Sequence, residues 1–212
     1  MARYDLIHIG KCGGTTVLNS LLNLKYNVNH IHIRKVKFNI NKKYIITIRN
    51  PVDRFISAFN WRYHKVVTTK QQKNRFKGEK KLLEYYENVN ALAEDLYDPN
   101  GQLNINLSTK KHYIHHLYED INFYLHKFLR KCKRRNIYGV ILTETLTDDL
   151  QNLFNIPKKK VPHKFKNQEY SKYLSDLGYS NLKKWLVKDY ACIDKLFKKK
   201  IINKEQYDIL SK

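Results

Sequence analysis

The stretch YDLIHIGKCGGTT, residues 4–16, carries the pattern that decides the fold of this chain. Its first six residues predict a β-strand over 4–9, and glycines stand just after it at positions 10, 13 and 14. A helical pattern follows at once over residues 15–24, with apolar residues spaced to share one face. A strand that enters a glycine-containing turn and then a helix indicates an α/β domain.

The rest of the chain continues this alternation of strand and helix patterns. Strands are predicted at residues 28–33, 44–48 and 137–142. Helices are predicted after Asn50-Pro51 and at about 79–97, 120–135, 145–154, 180–199 and 203–211, with a loop over 98–111. The alternation predicts a three-layer α/β fold with a mostly parallel central sheet flanked by helices. We find no internal repeat and expect a single domain over 1–212, with a helical C-terminal part from about 145.

Length and composition indicate a globular protein. Hydrophobic residues make up 42% of the 212 residues, which is enough to form a core. No apolar run is long enough to span a bilayer, and the strand predicted at 4–9 argues against a signal peptide, so we expect a cytoplasmic protein. Cys12, Cys132 and Cys192 lack the spacing of metal ligands and fit reduced thiols in that compartment.

Charge is the strongest global feature of the sequence. Lys and Arg total 41 against 19 Asp and Glu, which gives a formal net charge of +22. Such a field attracts anions, but it does not choose between nucleic acid, an anionic nucleotide, an acidic glycan and a membrane surface. Part of the excess lies in the lysine runs at 158–160 and 198–200, which are expected to be solvated.

The turn at residues 10–14 is the first candidate anion site. Glycines permit a close approach of the backbone, and the N–H groups at the start of the following helix favour negative charge. Lys11 adds a point charge, and Thr15 and Thr16 add hydroxyl donors. The pattern is not a Walker A motif, because Lys11 precedes the Gly13-Gly14 pair. The alternative interpretation is a tight turn with a surface lysine.

The second candidate anion site follows the strand predicted at 44–48. Arg49 stands where that strand ends and a helix begins, at the sheet edge where open α/β folds bind ligands. Ser57 lies two turns into the helix, away from its apolar face. Arg54 is interpreted as a solvated helix charge rather than as a second anion contact.

These two segments together resemble the phosphate-binding motifs of the sulfotransferases that use 3′-phosphoadenosine 5′-phosphosulfate (PAPS). The Gly-Lys-x-Gly-Gly-Thr-Thr stretch is similar to their 5′-phosphosulfate loop, and Arg-Asn-Pro-x-x-Arg-x-x-Ser is similar to their 3′-phosphate motif. The likeness is nearest to the carbohydrate branch of Golgi-type and bacterial enzymes and covers about residues 4–60. It is weaker over 137–175, where Thr143-Glu144 and Pro162-His163-x-x-Lys166-Asn167 are similar to late segments of the family.

The resemblance implies a P-loop-like fold and a sulfuryl transfer from PAPS to an acceptor hydroxyl, with no metal required. It implies that Arg49 and Ser57 hold the 3′-phosphate. The residues implied for the 5′-phosphosulfate are Gly10, Lys11, Cys12, Gly13, Gly14, Thr15 and Thr16. Lys11 would also be catalytic, because negative charge develops on the bridging oxygen of the leaving nucleotide and a fixed ammonium stabilises it. The acceptor is expected to be a carbohydrate, and the basic surface suits an anionic glycan; a small alcohol, a phenol and a protein tyrosine are the alternatives.

A histidine is expected to deprotonate the acceptor hydroxyl. His30 and His32 alternate with Ile31 and Ile33, so both imidazoles project from one face of the strand. A neutral imidazole suits base chemistry at neutral pH. The pattern does not rank the two histidines, two ordinary polar residues are the alternative, and Glu144 is the next candidate base.

Three further interpretations compete with the one above. His112, His116 and Glu119 have helical metal-ligand spacing, but we expect no metal there; together with His115 they could instead contact substrate. An ATP-dependent phosphotransferase would also use a glycine turn, but it would need a Lys-Ser/Thr after the glycine and a magnesium-binding aspartate. A basic nucleic-acid-binding protein would fit the charge, yet no compact nucleic-acid motif is present, which argues against that partner.

Overall fold

The structure is a computed structural model that describes residues 3–104, 107, 113–161 and 170–212. Two compact units are formed: the first by Met1–Pro51, Glu119–Lys166 and Asp189–Lys212, the second by Val52–Tyr118 and Asn167–Lys188. The single sulfotransferase domain expected over 1–212 stays a prediction. Among the described residues, no helix combines the length and the apolar character that crossing a bilayer requires.

Helices and strands alternate along the described chain. In order they are β1 (Arg3–His8), α1 (Gly14–Asn23), β2 (Asn27–Ile31), β3 (Lys43–Ile48), α2 (Pro51–Arg62), α3 (Glu79–Tyr86), α4 (Val89–Glu94), α5 (Ile121–Lys131), β4 (Ile137–Leu142), α6 (Leu146–Phe154), α7 (Asp176–Trp185), α8 (Val187–Lys198) and α9 (Lys204–Ser211). A π-helical turn (Tyr63–Thr68) continues α2, and 3₁₀ turns occur at Arg134–Asn136 and Lys158–Lys160.

The sheet of the first unit has four strands in the order β2-β1-β3-β4, and all neighbours are parallel. The chain moves from β1 outward to β2 and then returns past β1 to β3, so the direction of winding reverses between β1 and β3. In open parallel sheets such a reversal leaves a crevice at the carboxyl ends of the strands, where ligands bind. The predicted α/β class and the parallel sheet flanked by helices are confirmed.

Each face of this sheet has its own hydrophobic core, because successive strand residues point to opposite sides. One core holds Ile7, Ile46 and Val140 and is covered by residues of α5, α8 and α9. The other holds Leu6, Ile45 and Ile141 and is covered by residues of α1 and α6. His8 lies two residues after Leu6 in β1, so its side chain points to the same face of the sheet, the one covered by α1.

The second unit is helical and contains a buried ion pair. Arg62 Nε lies 2.7 Å from Glu79 Oε1, and Arg62 Nη2 lies 2.8 Å from Glu79 Oε2, which is a bidentate arrangement. The Glu79 carboxylate also accepts hydrogen bonds from the backbone N–H groups of Arg75 and His115. Because this charge pair is desolvated, its hydrogen bonds fix α3 against the end of α2.

Three expectations about the helices need correction. The helix predicted over 180–199 is divided at Leu186 into α7 and α8. The helix predicted over 79–97 is divided into α3 and α4, because Glu87 has a left-handed backbone (φ 54°) and the Asn88 side chain caps α4 by accepting from Ala91 N–H. Arg54 is not a solvated helix charge: its side chain is fully buried, and its Nη1 donates to the carbonyl oxygen of His116 at 2.7 Å. The apolar face predicted for α2 is confirmed, since Val52, Phe55, Ile56 and Phe59 are buried.

Candidate functional site

The candidate site lies in the first unit at the carboxyl edge of its sheet. The turn at residues 10–14 follows β1, His32 follows β2, Arg49 follows β3, and Thr143 and Glu144 follow β4. Thr143 N–H donates to the carbonyl oxygen of Ile48 at 3.0 Å, which carries the β3–β4 pairing to this edge.

The turn after β1 has a strained backbone. Lys11 has a φ of 67° and Gly13 a φ of 69°, both in the left-handed region. This region costs a residue with a Cβ about 1–2 kcal/mol, and such strain is most often retained at functional sites. At Gly13 a Cβ would also lie 2.5 Å from Leu146 Cδ1, so a side chain is disfavoured there twice.

Gly14 is required by close packing rather than by its backbone angles. It is the first residue of α1, and a Cβ placed there would lie 2.0 Å from Cδ2 of the buried His8 ring. The His8 imidazole therefore lies directly against the start of α1. Since the first N–H groups of a helix have no partners within it, this end of α1 favours an anion.

The other residues of the loop differ in how they can contribute. The Thr15 side chain is exposed, and Thr16 is half-buried. Cys12 is buried, its N–H donates to the carbonyl oxygen of Ile9 at 3.2 Å, and its thiol lies 3.7 Å from the carbonyl oxygen of Gly10. Cys12 therefore shapes the turn, and its contribution to 5′-phosphosulfate binding stays a prediction.

Three histidines form a stacked cluster at the ends of β1 and β2. His8 Nδ1 lies 2.8 Å from His30 Nε2, and the His8 and His32 rings stack with centroids 4.0 Å apart and an interplanar angle of 19°. The cluster follows from the register, because Ile7 pairs with Ile31 and the residues after each lie side by side. The prediction that His30 and His32 share a face agrees with this arrangement, whereas His8 was not predicted.

Burial keeps the His8 and His30 imidazoles neutral. Desolvation, followed by the nearby His32, His30 and Lys11 charges, lowers the pKa of His8 from 6.5 to about 3. Desolvation also lowers the pKa of His30, with smaller contributions from His32 and Arg34. Both rings are therefore neutral at physiological pH.

The hydrogen bond of His32 defines its tautomer. His32 Nδ1 lies 2.8 Å from the carbonyl oxygen of His8, which can only accept, so Nδ1 carries the proton. In the neutral ring the lone pair then lies on Nε2. His30 uses its Nε2 in the contact with His8. The structure thus distinguishes two histidines that the sequence pattern left equivalent.

Arg49 has an unsatisfied group at the switch point of the sheet. Its Nε is buried and has no hydrogen-bond partner among the described residues. The nearest carboxylate oxygen, Glu144 Oε1, is 3.9 Å away, which is too long for a hydrogen bond. Glu144 Oε1 instead accepts from Asn50 N–H at 3.0 Å. A buried guanidinium nitrogen without a partner is uncommon, and an acceptor atom of a ligand or a water would satisfy it.

The loops beside Arg49 are held by further hydrogen bonds. The Asn50 side-chain amide donates to the carbonyl oxygens of Leu210 and Lys212. Asp149 Oδ2 accepts from Leu142 N–H at 2.8 Å and from Thr145 Oγ1 at 2.9 Å, so it shapes the turn that carries Glu144. Burial raises the pKa of Asp149, and these two hydrogen bonds oppose that shift. The sequence pattern did not identify Asp149.

The other predicted site residues belong to the second unit or lie outside the described residues. Ser57 is half-buried in α2 and belongs to the second unit. His115 and His116 are buried in that unit with their rings stacked at 3.9 Å. His112 and the segment 162–167 lie outside the described residues.

The first unit thus combines a glycine turn at a helix start, an arginine with an unsatisfied nitrogen and a histidine, His32, whose Nδ1 is held by a backbone carbonyl oxygen. The turn and the arginine follow β1 and β3, the two strands between which the sheet reverses. This arrangement is suited to binding an anion and to accepting a proton close to it. Comparison with known proteins gave no match to any family model, curated protein or solved structure.

Proposed function

We propose that the protein is a PAPS-dependent sulfotransferase with a P-loop-like fold that transfers a sulfuryl group to an acceptor hydroxyl. One observation carries the proposal: Arg49, at the switch point beside the glycine turn of Lys11, has a buried Nε with no hydrogen-bond partner among the described residues. An anion at the carboxyl edge would supply that partner, and the start of α1 would favour the same charge.

The nucleotide contacts follow from the two sides of the switch point. The turn after β1 would bind the 5′-phosphosulfate through backbone N–H groups of residues 13–16 and the Lys11 ammonium. Arg49 would bind the 3′-phosphate. The contribution of Ser57 to the 3′-phosphate stays a prediction, because Ser57 belongs to the second unit.

His32 is the proposed general base. Its Nδ1 is held by the His8 carbonyl oxygen, so its Nε2 lone pair can take the proton of the acceptor hydroxyl. The acceptor oxygen then bonds to sulfur while the bond from sulfur to the bridging oxygen breaks. The electron pair of that bond leaves with the nucleotide as adenosine 3′,5′-bisphosphate. Lys11 would stabilise the charge on the departing oxygen.

The test is calorimetric titration of the full chain with adenosine 3′,5′-bisphosphate, ATP and AMP, each with and without magnesium. We expect micromolar binding of the bisphosphate that does not depend on magnesium. Arg49→Ala should weaken it about 10–150-fold, since a charged hydrogen bond contributes about 1.5–3 kcal/mol. Arg130→Ala, an exposed arginine of α5, is the matched control and should bind like the parent.

Three results would overturn the proposal. A preference for magnesium-ATP would favour a phosphotransferase. Absence of nucleotide binding together with steeply salt-dependent binding of DNA or RNA would favour a nucleic-acid-binding protein. Equal bisphosphate affinity in Arg49→Ala and the parent would remove the observation on which the proposal rests.

The acceptor class is proposed from charge. The formal net charge of +22 suits an anionic glycan, because the field raises the local concentration of such a polymer. A sulfuryl-transfer assay with PAPS and a panel of acidic and neutral glycans tests this choice. We expect transfer to the acidic members to fall as salt increases, whereas a preference for neutral alcohols or phenols would contradict it.

A further inference from the structure

We propose that His8, His30 and His32 form a binding site for one divalent late first-row transition-metal ion such as Zn²⁺. One ring nitrogen from each of the three side chains lies within 4.8 Å of one from each of the others. His8 and His30 belong to the adjacent parallel strands β1 and β2, and His32 directly follows β2, so the sheet holds the three residues close together. This site goes beyond the proposed sulfuryl transfer, which needs no metal.

The spacing of the nitrogens is close to what coordination requires. Zinc binds imidazole nitrogen at about 2.0–2.1 Å, so two nitrogens of a tetrahedral site lie about 3.3 Å apart. His8 Nδ1 and His30 Nε2 are 2.8 Å apart, slightly closer than that value. The three ligand nitrogens lie within 4.8 Å of one another, so changes of side-chain rotation would have to bring the more distant pairs to about 3.3 Å around one ion. An open fourth position would remain for water.

The hydrogen bond of His32 is a second, independent indication. A histidine that binds a metal usually donates its other ring N–H to a backbone carbonyl or a carboxylate, which fixes the tautomer. His32 Nδ1 makes this contact with the carbonyl oxygen of His8 at 2.8 Å. Its Nε2 is therefore the nitrogen that would bind the ion. One contact thus orients the third ligand relative to the first.

The donor set determines which ions can bind. Three neutral imidazoles suit Zn²⁺, Cu²⁺, Ni²⁺ and Co²⁺, whereas Mg²⁺ and Ca²⁺ prefer oxygen ligands. Two positive side chains oppose any cation: Lys11 acts electrostatically on His8, and Arg34 acts on His30, whose carbonyl oxygen accepts from Arg34 Nη2 at 2.9 Å. Removing the Lys11 charge should therefore strengthen metal binding.

A bound ion would occupy the atom that the proposed reaction uses. The His32 Nε2 lone pair cannot bind a metal and accept a proton at the same time. Zn²⁺ should therefore inhibit the proposed transfer. This consequence depends on the proposed function, but the metal site itself does not.

The experiment titrates the full chain with Zn²⁺ by calorimetry and with Co²⁺ by visible absorption, in the absence of nucleotide. His30→Ala and His32→Ala are compared with His126→Ala, an exposed histidine of α5 that serves as the matched control. Thermal unfolding of each variant confirms that it is folded. We expect the parent to bind one equivalent of Zn²⁺. The affinity for this ion should fall at least about 100-fold in His30→Ala and His32→Ala, which is more than the 10–100-fold typical of the loss of an outer-shell contact.

The control variants and a competing ion give further expected results. His126→Ala should keep the full number of sites, Lys11→Ala should bind more tightly, and Mg²⁺ should not compete. Equal Zn²⁺ binding in the parent, His30→Ala and His32→Ala would overturn the proposal, as would a Co²⁺ spectrum without the intense visible bands of tetrahedral coordination. Binding of the bisphosphate is measured in a separate titration. Failure of the metal site would therefore not contradict the proposed function, and failure of the proposed function would not contradict the metal site.

Discussion

Replacing Gly14 with alanine tests the packing on which the candidate site depends. A Cβ at this position would lie 2.0 Å from Cδ2, 2.3 Å from Cγ and 2.6 Å from Nε2 of His8. Carbon atoms in contact normally stay about 3.5–4.0 Å apart, so the ring or the start of α1 has to move by about 1.5 Å. The His8 ring is buried, so its movement disturbs the packing around it.

Two contributions set the size of the effect. Overpacking a tight interior typically costs about 1–3 kcal/mol. Moving the ring also breaks the 2.8 Å hydrogen bond between His8 Nδ1 and His30 Nε2, and such a bond contributes about 0.5–1.5 kcal/mol. Gly14→Ala is therefore expected to lower the free energy of unfolding by about 2–4 kcal/mol, which corresponds to a fall in Tm of about 4–16 °C.

A double-mutant cycle in urea unfolding, followed by circular dichroism, isolates this contact. Without the ring there is nothing to clash with, so adding Gly14→Ala to a His8→Ala background should change stability by less than about 0.5 kcal/mol. The coupling between the two sites should then be about 2 kcal/mol or more. The reasoning is refuted if Gly14→Ala leaves stability unchanged, or if it destabilises both backgrounds equally.

Three further predictions concern the first turn, the β4 turn and the second unit. Lys11→Gly should raise the free energy of unfolding by about 1 kcal/mol in urea titrations by relieving left-handed strain, yet weaken bisphosphate binding in calorimetry. The raised pKa of Asp149 means that the parent loses stability as the pH rises from the unfolded pKa of 3.8 through the folded pKa. Asp149→Asn should abolish this loss of stability, which unfolding at several pH values measures. Arg62→Ala should cost about 3–5 kcal/mol because it leaves the Glu79 carboxylate buried and unpaired; a change under about 1 kcal/mol in thermal unfolding would contradict this.

The sheet was predictable because its signals are local. The strand predicted at 137–142 agrees with β4, and the strands near 4–9 and 44–48 agree with β1 and β3 to within one residue. Apolar and β-branched runs between turn residues define such strands without knowledge of their neighbours. Helix boundaries were less predictable, since Glu87 and Leu186 divide two predicted helices at residues that carry no breaker signal.

The histidine cluster was predictable only in part. Alternation along one strand places His30 and His32 on the same face, but it says nothing about a neighbouring strand. His8 joins them because β1 and β2 are in register at Ile7 and Ile31, which is a pairing across 24 residues. The alternation of Tyr4, Leu6 and His8 along β1 could have indicated this, because it places His8 on the face of the sheet that the helix after the turn covers.

Asp149 and Arg54 show the same limit for single polar residues. Each lies in a predicted helix, where exposure is the ordinary expectation for a charged side chain. Arg54 is buried with a partner 62 residues away, the His116 carbonyl oxygen, and no local pattern in the sequence carries that information. Asp149 is half-buried and accepts from Leu142 N–H and Thr145 Oγ1, and this contact depends on how the chain turns after β4.

The discontinuity of the first unit has a consequence for biosynthesis. A ribosome delivers β1, β2 and β3 early, whereas β4 and the helices that cover one face of the sheet, α5, α8 and α9, emerge only after most of the second unit. Domains usually fold as they are synthesised, from the N-terminal end. Here the first three strands have to wait with an apolar face uncovered, so the nascent chain exposes a surface that attracts chaperones and promotes aggregation. Truncation before the fully buried Leu210 should therefore reduce soluble yield.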